Sequence, residues 1–229
     1  MEKQLVIMPC LDMMNGRVVK GVNFVDIKDA GDPVECCRAY CAAGADEIAM
    51  LDITATVQGR ATMLEVVKKV AAVKTVPFTM GGGINSVAAA EEVLKAGADK
   101  VTVAIDVAQN AAMPSGYEVY IDGGRTATGK DALEWTRQVD GYGVKCILPT
   151  SKSTDGARAG FDLPLIRQIC AVTKASVVAS GGAGTMEHFA EAAEAGATVL
   201  LGASVFHFNI IAIPELKQFL KGRGFNVRV

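Results

Sequence analysis

The 229-residue sequence has no surplus of positive charge: 23 Lys and Arg stand against 25 Asp and Glu, a formal net charge of −2. A nucleic-acid binder needs a basic face to neutralise phosphates, so that class is excluded. Nor is there an apolar run near the roughly 18 residues that a membrane span requires. No block of like charge appears, and 50% of the residues are hydrophobic, which excludes a disordered chain. No basic leader with a cleavable apolar core precedes Leu5-Val6-Ile7, so secretion is not expected. The cysteines, at 10, 36, 37, 41, 146 and 170, are scattered, and adjacent Cys36 and Cys37 suit neither a disulfide framework nor a zinc site. Buried thiols in a reducing, cytoplasmic compartment are the expectation. A Pro/Ser-rich linker is missing too, so residues 1–229 are expected to form a single domain.

What the sequence does have is alternation. Short runs at 5–11, 47–51, 76–80, 100–105, 144–148, 176–179 and 198–201 are mostly apolar on both faces, which predicts strands of a parallel sheet. Helical patterns at 33–43, 61–73, 86–96, 130–139, 162–173, 185–195 and 213–221 separate them. Asp32 as N-cap with Pro33 at N1 marks one helix start, and Thr185 offers another cap. Ala43-Gly44-Ala45, Ala96-Gly97-Ala98 and Ala195-Gly196-Ala197 each stand between a helix and a strand, where glycine is expected just past the helix end in left-handed conformation. A repeated strand–helix–glycine–strand unit along the whole chain predicts an α/β fold, a (β/α) TIM barrel, rather than an open sheet.

A longer symmetry runs through the chain. Cys10-Leu11-Asp12 resembles Ala104-Ile105-Asp106, and Met80-Gly81-Gly82-Gly83 resembles Ser180-Gly181-Gly182-Ala183-Gly184. The offsets are 94 residues (106 less 12) and 100 residues (181 less 81), the pattern of two half-barrels. Catalytic faces of such barrels lie at the C-terminal ends of the strands, so Asp12, Asp52, Asp106 and Thr150 are expected to point into one mouth. Two carboxylates across a cleft can be kept in different protonation states, one as acid and one as base. The competing reading is that Asp12 and Asp106 only cap neighbouring loops. Glycine-rich loops at 81–83 and 181–184, with Gly202-Ala203-Ser204, can turn backbone N–H groups toward an anion. Two anion sites flanking two aspartates suit a long substrate with a phosphate at each end, although each loop alone could serve only tight packing.

Cys10-Leu11-Asp12, Gly16-Arg17-Val18-Val19-Lys20-Gly21, Leu51-Asp52-Ile53-Thr54-Ala55, the run from Ala179 to Phe189, and Ala203-Ser204-Val205-Phe206-His207 closely resemble the cyclase subunit of imidazole glycerol phosphate synthase, in the histidine-biosynthesis branch of barrel enzymes. Tyr117 to Arg125 resembles that family's hairpin after the fifth strand. The resemblance implies an eight-unit (β/α) barrel and a reaction in which ammonia from a glutaminase partner attacks a ribulosyl bisphosphate. The amidine is cleaved and an imidazole closes, giving imidazole glycerol phosphate and the aminoimidazole carboxamide ribotide. By position, Asp12 and Asp106 match the two catalytic aspartates, and Lys20 matches a lysine of the loop after the first strand. Gly82, Gly83, Asp155, Gly156, Gly181, Gly182, Ala203 and Ser204 match phosphate-site positions. At the base, Glu47 and Lys100 match two members of a charged ring that gates ammonia, while Val6 and Cys146 occupy the other two positions. The resemblance implies a heterodimer with the glutaminase subunit and neither metal nor organic cofactor. For His188 and His207, packing or capping is expected rather than catalysis.

The chain departs from the family between 99 and 130, which is too short for two strand–helix units, since a parallel neighbour needs a crossover of a dozen or more residues. Lys100-Val101-Thr102-Val103 reads as the start of the fourth strand and Ala104-Ile105-Asp106 as the end of the fifth. One strand–helix unit is thus expected to be missing after about Val103, along with the family's Asn-Thr at the tip of that strand, either deleted from the protein or, the reading favoured by the cost of opening a barrel, omitted from the sequence as written. In the sixth-strand segment Asp155-Gly156 survives, but the flanking acid and threonine do not. Two further readings stay open: the sister phosphoribosyl isomerase, and a divergent paralogue that binds phosphosugars without turnover. Asp52-Ile53-Thr54-Ala55 and Met186-Glu187-His188-Phe189 favour the cyclase.

Overall fold

Strands that are apolar on both faces must be covered on both, and a parallel sheet achieves this by curling around its own side chains beneath a layer of helices. The computed structural model describes residues 3–22, 25–53, 55 and 63–229, with side chains outside 20–28. The first half runs β1 (Val6–Met14), β2 (Arg17–Val22), β3 (Val25–Gly31), α1 (Pro33–Ala42), β4 (Ile48–Asp52), α2 (Leu64–Ala71), β5 (Phe78–Gly81), α3 (Val87–Lys95) and β6 (Lys100–Val101). The second half runs β7 (Val103–Gln109), β8 (Tyr117–Ile121), β9 (Thr126–Asp131), α4 (Ala132–Gly141), β10 (Cys146–Ser151), α5 (Leu163–Val172), β11 (Ser176–Ala179), α6 (Met186–Glu194), β12 (Val199–Gly202), α7 (Ser204–His207) and α8 (Ile213–Gly222).

Parallel pairing follows the order β6-β5-β4-β1-β12-β11-β10-β7. The two ends of that order are joined covalently, because only Thr102 separates β6 from β7. Lys100 and Val101 pair with Thr79 and Met80 of β5, whereas Val103 to Val107 pair with Ile147 to Ser151 of β10. A single extended segment therefore begins as the fourth strand and continues as the fifth, and no helix stands between them. The expected loss of one unit takes this form: a (β/α) barrel short of one strand and one helix.

Side chains alternate between two layers. Met8, Cys10, Ala49, Leu148, Val178, Val199 and Leu201 pack inside the sheet, while Ile7, Leu11, Met13, Ile48, Met50 and Met80 pack outward with helix residues such as Cys37, Tyr40, Val67 and Val70. The expected strands and helices form with shifts of a few residues. Gly44, Gly97 and Gly196 take φ of +81°, +111° and +106° directly after the helix ends, and Asp32 caps α1 by accepting from the N–H groups of Val34 (2.9 Å) and Glu35 (3.2 Å). Three features differ from expectation. β1 extends to Met14, and the supposed loop bearing Lys20 is a hairpin, β2–β3, antiparallel to the end of β1. The short α7 carries too little periodicity to be read from sequence. Asn23, Phe24, Thr54 and 56–62 lie outside the described residues, as does the side chain of Lys20.

The C-terminal helix is tied to the bottom of the barrel by one buried ion pair. Lys217 Nζ donates to Asp46 Oδ1 at 2.7 Å, with the two side chains 6% and 8% exposed, and Asp46 Oδ2 accepts from the N–H of Ile7 at 3.0 Å. The exposed Arg228 also reaches Asp46 Oδ1, at 3.2 Å, so removing Lys217 takes away the buried partner but leaves Asp46 one cation at the rim. Lys217→Met should therefore cost about 2 kcal/mol of stability, less than a fully stranded charge, read as a lower urea midpoint with unchanged slope.

Candidate active site

The inward alternation that fills the barrel also sets which strand-end residues reach its mouth. Asp12 follows Cys10 on the inward face of β1, and the Cys10 thiol donates to Asp12 Oδ1 at 3.1 Å. Asp106 alternates with outward Ile105 and Val107 on β7, and it lies in register with Thr150 of β10 on one side and Tyr120 of β8 on the other. Thr150 is in turn bridged to Ser180 beyond β11, with their hydroxyls 3.4 Å apart. The structure thus brings Asp12, Asp106 and Thr150 onto the inner wall at the C-terminal ends of the strands. Burial raises the pKa of the Asp106 carboxyl above the ordinary aspartate value, opposed by the positive charge of Lys152.

Asp52 is a correction. It shares the outward face of β4 with Ile48 and Met50, is 2% exposed, and uses Oδ1 to accept from the N–H of Ala55 at 3.1 Å. Asp52 anchors the backbone of Ala55 rather than entering the mouth.

Two glycine loops border the mouth, and each is glycine for a steric reason. A Cβ on Gly82 (φ +81°) would stand 2.3 Å from the carbonyl oxygen of Asp52, and one on Gly182 (φ +110°) would stand 2.0 Å from that of Gly160. Gly83 continues the first loop with φ +70°. Around the second loop, the Thr154 hydroxyl donates to Gly181 O at 3.3 Å and the Gly160 N–H to Gly182 O at 2.9 Å, so the segment carrying Asp155 and Gly156 is laced to Gly181 and Gly182. Ala203 and Ser204 open α7 just beyond β12. The start of α6 contributes less than the sequence suggests. His188 Nδ1 accepts from the N–H groups of Gly184 (3.1 Å) and Thr185 (3.3 Å), taking up two donors that an anion would otherwise find. His207 sits with Nδ1 3.3 Å from the Tyr40 hydroxyl and its ring edge-on to Phe208. Both histidines cap or pack.

At the opposite end of the barrel, Glu47 is 5% exposed and bonded on both oxygens, accepting from the Thr79 hydroxyl and, at 2.6 Å, from Lys100 Nζ. Cys146 stands close by: burial pushes its thiol pKa up, aided by the Glu47 charge and opposed by the Thr102 hydroxyl and Lys100. The two expected gate residues are therefore joined as an ion pair across the floor, beside a neutral thiol. Among the described residues no cluster of His, Cys, Asp or Glu is arranged to hold a metal ion, and no helix is long and apolar enough to cross a membrane.

The signature of a family described as "Histidine biosynthesis protein" matches residues 6–104 and 97–212. The chain belongs to the histidine biosynthesis protein family. The two matches overlap at 97–104, the segment in which the fourth and fifth strands merge. Among members of this family, the chain is 47% identical to imidazole glycerol phosphate synthase subunit HisF of Beutenbergia cavernae, over 98% of each chain. It is 46% identical to the protein of that name from Mycobacterium tuberculosis, over 97% of this chain and 94% of the relative. The first alignment spans 252 positions, more than the 229 residues available here, so the relative carries a stretch that has no counterpart in this chain.

The environment of Asp106 makes a prediction about stability. Because its folded pKa is raised, the folded state binds the proton more tightly than the unfolded state, and stability falls as pH rises past the ordinary carboxylate value. Asp106→Asn removes that cost. The variant should be more stable than wild type at pH 7, and the gap should close below about pH 4, as measured by urea denaturation at the two pH values.

Proposed function

We propose that this chain is the cyclase subunit of imidazole glycerol phosphate synthase, consuming a ribulosyl bisphosphate with ammonia and releasing imidazole glycerol phosphate and the aminoimidazole carboxamide ribotide. The observation that carries the reading is the pair of inward aspartates, one on the first strand of each half-barrel, between the glycine loops at 81–83 and 181–184. Asp106, whose neutral form is favoured by burial, is suited to donate a proton, and Asp12 to accept one. Ring closure and amidine cleavage need one group of each kind. Gly82 and Gly83 on one side, and Asp155, Gly156, Gly181, Gly182, Ala203 and Ser204 on the other, would hold the two phosphates, and Lys20 of β2 would add a positive charge for the substrate. No organic cofactor or metal enters this scheme.

In this reading the chain acts as one cytoplasmic domain of a heterodimer. Its glutaminase partner docks at the floor, and ammonia passes the Glu47–Lys100 pair. Val6 and Cys146 stand where the family has charges, so the floor relies on one ion pair in place of a full charged ring. Fewer charges must be displaced for ammonia to pass.

The reading is tested by following ammonia-dependent consumption of the ribulosyl bisphosphate. Asp12→Asn and Asp106→Asn should each lower kcat by about 10²- to 10⁴-fold, the usual contribution of a general acid or base. Isomerisation of the upstream aldose would move the assignment to the sister enzyme. Binding of the bisphosphate with neither reaction would mark a paralogue that does not turn over.

A further inference from the structure

The residue that opens the loop after β10, Lys152, has no role in the scheme above. Its N–H donates to Val107 O at 2.9 Å, so its backbone still extends the β7–β10 pairing. The side chain then crosses over β7. The ammonium lies 3.9 Å from the ring centroid of Tyr120, which belongs to β8 on the opposite edge of that strand. The methylenes pass 3.5–3.7 Å from the position that a Cβ on Gly124 would take. Tyr120 is the register partner of Asp106. Lys152 thus stretches from one strand neighbouring Asp106 to the other and seats its charge on the ring of the residue paired with Asp106, near enough to oppose the effect of burial on that carboxyl. No described carboxylate pairs with Lys152 within 4 Å, so its field is not spent on a closer partner.

We propose that Lys152, seated on the Tyr120 ring, is the counter-charge of Asp106 and governs how readily that carboxyl gives up its proton. The inference rests on the reading of Asp106 as a proton-transfer residue. A carboxyl raised by burial with no counter-charge would hold its proton too tightly to donate it well at neutral pH. A lysine ammonium over a tyrosine face is held electrostatically without losing its charge, and so it offsets burial without forming an ion pair that would lock the carboxylate. The other ionisable groups near Asp106 are engaged elsewhere. On β8, Glu118 faces Ala108 and accepts from Asn110 Nδ2 (2.8 Å) and the Gly129 N–H (2.7 Å). On the same extended segment, Lys100 is bound to Glu47 at the floor. From β10 and β11 the neighbours are the hydroxyls of Thr150 and Ser180. Lys152 is a positioning residue that acts through Asp106, with Tyr120 as its seat.

The test is a carbon-13 carboxyl titration of the full chain with labelled aspartate, the Asp106 signal being assigned by its loss in Asp106→Asn. Lys152→Met should move the Asp106 titration to higher pH, Lys152→Arg should leave it near the wild-type position, and Tyr120→Leu should move it in the same direction as Lys152→Met by a smaller amount. Tyr120→Phe, which keeps the ring, should leave it unmoved. In turnover assays the alkaline limb of the kcat profile, set by the group that must hold a proton to donate it, should follow the carboxyl titration. An Asp106 titration unchanged in Lys152→Met would overturn the inference. A titration that moves as expected in a protein showing no ammonia-dependent turnover would leave the inference standing and defeat the cyclase reading instead.

Discussion

Closure of the parallel ring by one extended segment is the constraint on which everything else in this molecule depends. A curled parallel sheet with a unit removed would present two unpaired edges and an open core, at a cost that grows with every unmade ladder bond. Here residues 100–109 satisfy both edges in turn, bonding to β5 through Lys100 and Val101 and to β10 from Val103 onward. The inward positions of that segment are Lys100, Thr102, Ala104 and Asp106. Floor and mouth are therefore connected along a single backbone about 20 Å long, where an eight-stranded barrel would place them on separate strands.

Each half of the barrel then repeats one device. Its leading strand, β1 or β7, overshoots the ring and turns back as an antiparallel hairpin, β2–β3 or β8–β9. The aspartate stands near the fork where parallel pairing gives way to antiparallel pairing. Asp12 is in register with Leu51 of β4, and Asp106 lies between Thr150 and Tyr120. A side chain at such a fork faces the mouth from a rigid strand while a hairpin controls what stands beside it. For Asp106 that neighbour is an aromatic ring carrying an ammonium, which sets a half-buried carboxyl against a positive charge.

Between mouth and floor lies a plug of Met8, Cys10, Leu148, Val178, Val199 and Leu201, with Ala49 as the small member. This apolar filling separates the Glu47–Lys100 pair below from the aspartates and Lys152 above. Val6 and Cys146 extend that apolar zone downward, and the raised pKa of the Cys146 thiol agrees with it. The histidines are kept out of the chemistry by their geometry: His188 is bound to two amides of its own helix start, and His207 is packed against Tyr40 and Phe208.

Local chemistry alone determined a good deal of this protein. Two-faced apolar runs specify buried strands, glycine past a helix end specifies the left-handed turn, Asp32-Pro33 specifies a helix start, and the spacing between Lys100 and Asp106 leaves no room for a crossover helix. Those features depend on residues a few positions apart. The direction of each strand-end carboxylate is another matter, because a shift of one residue in register turns a side chain to the other face: Asp12 and Asp106 point inward, and Asp52 points out. The seat of Lys152 on Tyr120, across a strand belonging to neither, and the fusion of two strands into one wall were likewise decided only by tertiary structure. Pairing register and the meeting of side chains from separate elements are settled when the ring closes, and no short stretch of sequence contains that information.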